Sequence, residues 1–246
     1  MNTNHHSTSE VGHAKNIANL QKMINYLQNY GAAYNPINTE ITIPTLISKH
    51  TDATKAMEEL HIAKADYIIA VNSRQQTFET LKETTTRIAN AIASMTSDKR
   101  IFNDARTFIN KIRGKAPKTK TIDNQENQEV KIPRSNSQQS YDNLVNHFQG
   151  LIELLDSIPF YAPNEADITV PRLRIFLSEL QSENQNIIPF QVNYSQKLID
   201  RNQILYNPIT GIVASSKQVK QYVKSVFGVN SSQFGQINPI EFRTLK

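Results

Sequence analysis

The side chains best placed to do chemistry are cations. Lys99, Arg100, Arg106, Lys111, Arg113, Lys115, Lys118 and Lys120 fall in one stretch that contains a single acid, Asp104. Lys217, Lys220 and Lys224 occupy the equivalent place later in the chain. Such clusters neutralise phosphates, and the resulting affinity falls steeply with salt. The structural alternative is that cations near a helix C-terminus stabilise the macrodipole and do nothing more. A second pair, Arg74 and Arg201, sits on an otherwise apolar helical frame. A buried guanidinium must find a carboxylate or carbonyl oxygens, or snorkel to water. It either binds an anion or fixes helix register, and the second role needs no ligand.

Other chemistry is excluded by residue type. The chain has no cysteine, which rules out disulfides, thiolate metal sites and cysteine nucleophiles. There is no HExxH, no glycine-rich phosphate loop and no GxSxG elbow, so the common hydrolase and nucleotide-binding signatures are missing. His50 and His61 lie eleven residues apart, ~16 Å along a helix and too far for one metal ion. His5, His6 and His13 offer at most an adventitious metal site. No enzyme activity, cofactor or resident metal is expected. The termini and interior lack both a secretory h-region and an 18-residue apolar span, so the expected location is the cytoplasm. A net charge of +5 and a pI near 9.3 permit polyanion binding, although the excess is mild for 246 residues.

The elements that carry these residues are organised by an internal duplication. Tyr34, Pro36, Ile41, Thr42, Pro44 and Leu46 recur 127 residues later as Tyr161, Pro163, Ile168, Thr169, Pro171 and Leu173. The same offset pairs Ile24 with Leu151, Leu27 with Leu154 and Arg74 with Arg201. Towards the end of each copy the match resumes at an offset of 114, with Arg106, Phe108, Ile109, Ile112 and Gly114 answering to Lys220, Tyr222, Val223, Val226 and Gly228. These matches divide the chain into a disordered tail (1–14), a first helical repeat (15–114), a linker rich in Lys, Thr, Asn, Gln and Ser (115–140), a second repeat (141–228) and a C-terminal tail (229–246). Two copies are too few for a solenoid and fit a tandem or a fused pseudo-dimer.

Within each copy the periodicity is helical. Ile17, Leu20, Ile24 and Leu27 mark a short amphipathic helix that stops near Gly31. Thr42 and Pro44 are a start signal, repeated by Thr169 and Pro171. From Leu46 to Met95 an alternation of four and three residues never loses phase and meets neither Gly nor Pro. This predicts one helix of roughly 50 residues, ~75 Å long, unless a hairpin preserves the phase by chance. The second copy keeps the frame from Leu173 to Leu205, and Pro189 must kink or break it. A last short helix ends each copy at glycine, preceded in the second by the turn Asn207, Pro208, Gly211.

The stretch RNQILYNPITGIV (Arg201 to Val213), with VKSVFG and SSQFGQINPIEF in Val219 to Phe242, resembles a group of uncharacterised bacterial helical proteins that are also duplicated. The resemblance covers mainly the second half; the first copy lacks the Tyr-Asn-Pro turn. It implies an all-α fold and says nothing about activity. The combined expectation is an elongated all-α bundle of two tandem helical units. Its expected function is that of a non-enzymatic structural or protein-interaction module, with a protein partner or self-association. Nucleic-acid binding through the basic ends is the alternative, and a membrane-active helical protein is a further one.

Overall fold

The computed structural model describes residues 8–115 and 139–244, and among these it is helical with no strand. The helices are α1 (Thr8–Asn29), α2 (Ile43–Met95), α3 (Lys99–Arg113), α4 (Tyr141–Asp156), α5 (Val170–Tyr206), α6 (Ile212–Phe227) and α7 (Ser232–Ile237). The 53 residues of α2 form one helix, so the hairpin reading of that phase falls away. Burial follows the frame: Leu46, Ala53, Leu60, Phe78, Leu81, Thr85, Ile88 and Ile92 are all buried. The helix α5 runs through Pro189. A proline there removes one backbone donor, and the helix continues through it.

The described residues divide into two compact units, and neither coincides with a repeat. Unit 1 holds the residues up to Asp66 together with those from Gln191 onward; unit 2 is Tyr67–Phe190. Each unit therefore takes its short first helix from one repeat and its last helix from the other. The unit 1 core joins Leu20, Met23, Ile24, Leu27 and Leu46 to Leu205, Ile212, Val219, Val223 and Ile237. The unit 2 core joins Phe78, Leu81, Ile88, Ile109 and Ile112 to Phe148, Leu151, Leu173 and Leu180. Within unit 2, α2 and α5 run antiparallel, with Ser73 bonded to Glu183 on α5 and Arg87 to Asp167 in the turn just before α5. In unit 1 the same two helices are tied by Lys197 and Glu59, 2.7 Å apart.

The connection before each long helix is built the same way in both units. The Tyr34 hydroxyl donates to the Ile41 carbonyl at 2.6 Å, and the Tyr161 hydroxyl to the Ile168 carbonyl at 2.8 Å. Each ring closes a seven-residue loop and satisfies a carbonyl that water cannot reach. Burial raises both hydroxyls' pKa, that of Tyr161 from 10.0 up to about 12. A folded pKa above the unfolded one means the stabilisation is intact below pH 10 and is lost as the pH climbs towards 12. Thermal melts should therefore show unit 2 losing stability across that window. In Tyr161→Phe the window should flatten, and the protein should start about 1–2 kcal/mol less stable because the Ile168 carbonyl is left unpaired.

Both ends are more ordered than the sequence boundaries suggest. The first helix begins at Thr8, and Gly12 and His13, assigned above to a tail, are buried. The reason is a partner distant in sequence: His13 Nδ1 lies 2.5 Å from the Tyr206 hydroxyl, and the rings meet edge to face. The segment after Gly228 is likewise pinned. It contains α7, buries Ile237 and Ile240, and is held along α1 by side-chain amides. Asn16 both accepts from the Arg243 N–H and donates to its carbonyl, and Asn19 donates to the Glu241 carbonyl. The Asn amide thus supplies the two groups that a neighbouring strand would have offered.

Candidate functional site

The cations singled out by spacing separate into two different environments. On α3, Asp98 caps the N-terminus by accepting from the Arg100 N–H at 2.8 Å, and Gly114 closes the C-terminus with φ of 70°. Ala105, Ile109 and Ile112 face the core, so Lys99, Arg100, Arg106 and Lys111 stand exposed on the other side, with Lys115 just beyond. Arg100 lies 3.5 Å from Asp98, the Arg106 guanidinium is 6.0 Å from the Phe102 ring, and Arg113 donates to the Thr86 hydroxyl. Among the described residues Lys99, Arg106, Lys111 and Lys115 have no ion pair. Lys118 and Lys120 lie outside the described residues, as do His5 and His6.

The α6 cations do not repeat this arrangement. Lys220, expected beside Lys217 and Lys224 as a phosphate contact, turns inward: its ammonium donates to the Asn238 carbonyl at 2.8 Å, and burial lowers its pKa. It is occupied in holding the segment after α7. Lys217 and Lys224 remain exposed. The α3 and α6 clusters also fall in different units.

The two arginines on the apolar frame are held within the fold. In unit 2, Arg74 places its guanidinium 4.0 Å from the centre of the Tyr141 ring and donates to Asn184, which in turn donates to Asp142. This links α2, α4 and α5 and fixes their register. In unit 1, Arg201 is only 6% exposed and bonds the side-chain carbonyl of its neighbour Asn202 through Nε and Nη2. It also lies near Tyr206, where its positive charge opposes the upward pull of burial on that hydroxyl.

Sequence spacing missed one polar cluster. Lys49, 14% exposed at its side chain, lies 2.8 Å from the Glu40 carboxylate and 2.6 Å from the hydroxyl of fully buried Ser215. A lysine can take a serine proton only as a neutral amine. The Ser215 hydroxyl is closed off from solvent and meets no substrate. The cluster is a tie between the start of α2 and α6. By the repeat offsets its counterparts in unit 2 are Phe176 and Ile101, which pack on an apolar core instead. Lys49 and Ser215 are 166 residues apart, so no local pattern signals them.

Among the described residues of unit 2, open hollows of about 300 and 400 Å3 lie beside Pro159 and beside Arg87. Two of their ionisable groups are committed to ion pairs, Asp156 to Arg174 and Arg87 to Asp167, while Asn90, Ser94 and Glu165 also line the second hollow. Among the described residues no three metal-ligating side chains come together, and no helix is long and apolar enough to cross a membrane. Compared with protein-family models, with curated proteins and with solved structures, the chain matches none.

Proposed function

We infer that the protein is a non-enzymatic interaction module that associates with a second copy of itself along α5. The observation that carries this is an uncovered aliphatic edge in unit 1: Val192 and Ile199 are 62% and 58% exposed, with Ser195 between them at helical spacing. Steps of three and four residues form the seam that a second helix covers. Exposed aliphatics in such a row lose about 25 cal/mol per Å2 left in water, which favours covering them. The choice of a second copy rests on charge. A chain of net charge +5 repels a second copy, yet Gln191 to Gln196 contains no charged residue, and Lys197 beside Ile199 is paired with Glu59. Two copies can meet there without opposing like charges, and Gln191, Asn193 and Gln196 can pair with their own counterparts.

Light scattering coupled to size-exclusion chromatography should show the apparent mass rising above 27.9 kDa with concentration, with little difference between low and high salt. The double variant V192E/I199E should stay at the single-chain mass. Its melting temperature should hardly change, because exposed substitutions shift stability by about 0.5 kcal/mol or less. A native chain that remains single at every concentration, or a variant that associates as well as the native chain, would overturn the reading.

A further inference from the structure

We propose that α3 is a recognition helix for duplex DNA, with its exposed face seated in the major groove. The macrodipole cannot account for its charge. Lys99 and Arg100 occupy the first turn, where the partial positive charge of a helix disfavours cations, and the acid nearest to them is the N-cap Asp98, 3.5 Å from Arg100. Only Lys111 and Arg113 stand at the favourable end.

The distribution around the helix is more specific than a basic patch. At 3.6 residues per turn, Lys99, Arg106 and Arg113 recur every seven residues and form one margin of the exposed face. Arg100 and Lys111, eleven apart, form the other margin. Between the margins lie Asn103, Thr107 and Asn110, polar and uncharged, while the opposite face is buried through Ala105, Ile109 and Ile112. Asp104 is the one acid within α3 and sits at the outer edge of the Lys111 margin. The major groove admits an α-helix and is bordered by two lines of phosphate. Cations on both margins match those lines, and a central row of Asn and Thr meets the base edges. Asn is the side chain that pairs with adenine through two hydrogen bonds. The face runs about 21 Å from Lys99 to Arg113, enough to follow the groove for several base pairs. Double-stranded RNA fits less well, because its major groove is too narrow for side chains to read.

The test uses the full chain and a short fluorescent DNA duplex of mixed sequence, followed by anisotropy across a salt series. The native chain should bind at low salt, and log Kd should vary with log salt with a slope magnitude of about 4.5, as expected for five phosphate contacts. The variant K99Q/R106Q/K111Q should lose about tenfold or more in affinity and nearly three units of that slope, with an unchanged helical melt. K217Q/K224Q removes two cations from α6 and should bind as the native chain does. N103A/N110A should retain binding to mixed sequence but fail to enrich a preferred site from a randomised pool. Three results would overturn the proposal: no duplex binding at low salt, equal losses in the α3 and α6 variants, or binding to anionic vesicles without binding to duplex. None of these depends on self-association, which V192E/I199E reports separately.

Discussion

Two chains produced by dividing the protein between Lys115 and Gln139 should co-purify as one folded complex, and neither should fold by itself. The expectation follows from how the cores are assembled. Leu20, Ile24, Leu27 and Leu46 come from the first half and face Leu205, Ile212, Val219 and Val223 from the second. Unit 2 mirrors this, with Phe78, Leu81, Ile88 and Ile109 meeting Phe148, Leu151, Leu173 and Leu180. A fully buried Leu, Ile or Phe contributes roughly 1.5–3 kcal/mol relative to exposure. Losing half of each core therefore removes more than the 5–15 kcal/mol by which domains are ordinarily stable. Co-expression with a tag on one half, followed by size exclusion and circular dichroism, would show one species with a cooperative melt. A half that purified alone with its own sharp transition would show that the repeat, and not the compact unit, is what folds.

The second large effect is expected at Phe148. Its side chain is fully buried, packs edge to face on Phe176 with ring centres 5.5 Å apart, and lies in the core where α3 and α4 meet. Phe148→Ala should cost about 3–5 kcal/mol, because the lost transfer energy adds to a cavity that neighbouring side chains only partly fill. Gly150 limits that relaxation: a Cβ there would lie 2.5 Å from the Phe108 ring, so α3 already approaches α4 as closely as its side chains permit. Denaturant titration should show the loss confined to unit 2, with the Lys49 tie and the unit 1 core unaffected. Equal destabilisation of both units would mean that they unfold as one.

Much of the secondary structure was legible because its causes are local. The unbroken frame from Leu46 to Met95 identified α2, and Gly114 and Gly228 marked the ends of α3 and α6. The turn before α6 was visible as Asn207, Pro208 and Gly211, but its reason was not. Asn207 accepts from the Ile209 and Thr210 N–H groups, and a Cβ on Gly211 would come within 2.5 Å of the Asn207 nitrogen. The requirement is close backbone approach, since φ of −66° suits any residue. Val226, the counterpart of buried Ile112, is 44% exposed, while its neighbour Phe227 packs on Tyr30 with ring centres 5.3 Å apart.

The candidate site was legible to the same local extent. Spacing identified the α3 cations, and a single helix with one buried face is enough to expose them together. The same spacing placed Lys220 with them, and only the Asn238 carbonyl shows that it serves the fold.

Taken alone, the amino-acid sequence determined what depends on neighbours within a few turns: the all-α class, the helix frames and their caps, the absence of cysteine chemistry, and the charge of α3. Tertiary structure decided which segments share a core. A 3.5-residue apolar frame states that a face must be covered and leaves open which helix covers it. Each unit is completed by segments from both halves of the chain, and in unit 1 these are held by Lys49 with Ser215, His13 with Tyr206 and Asn16 with Arg243. Those partners stand 166 to 227 residues apart, and contacts at such separation leave no periodicity along the chain.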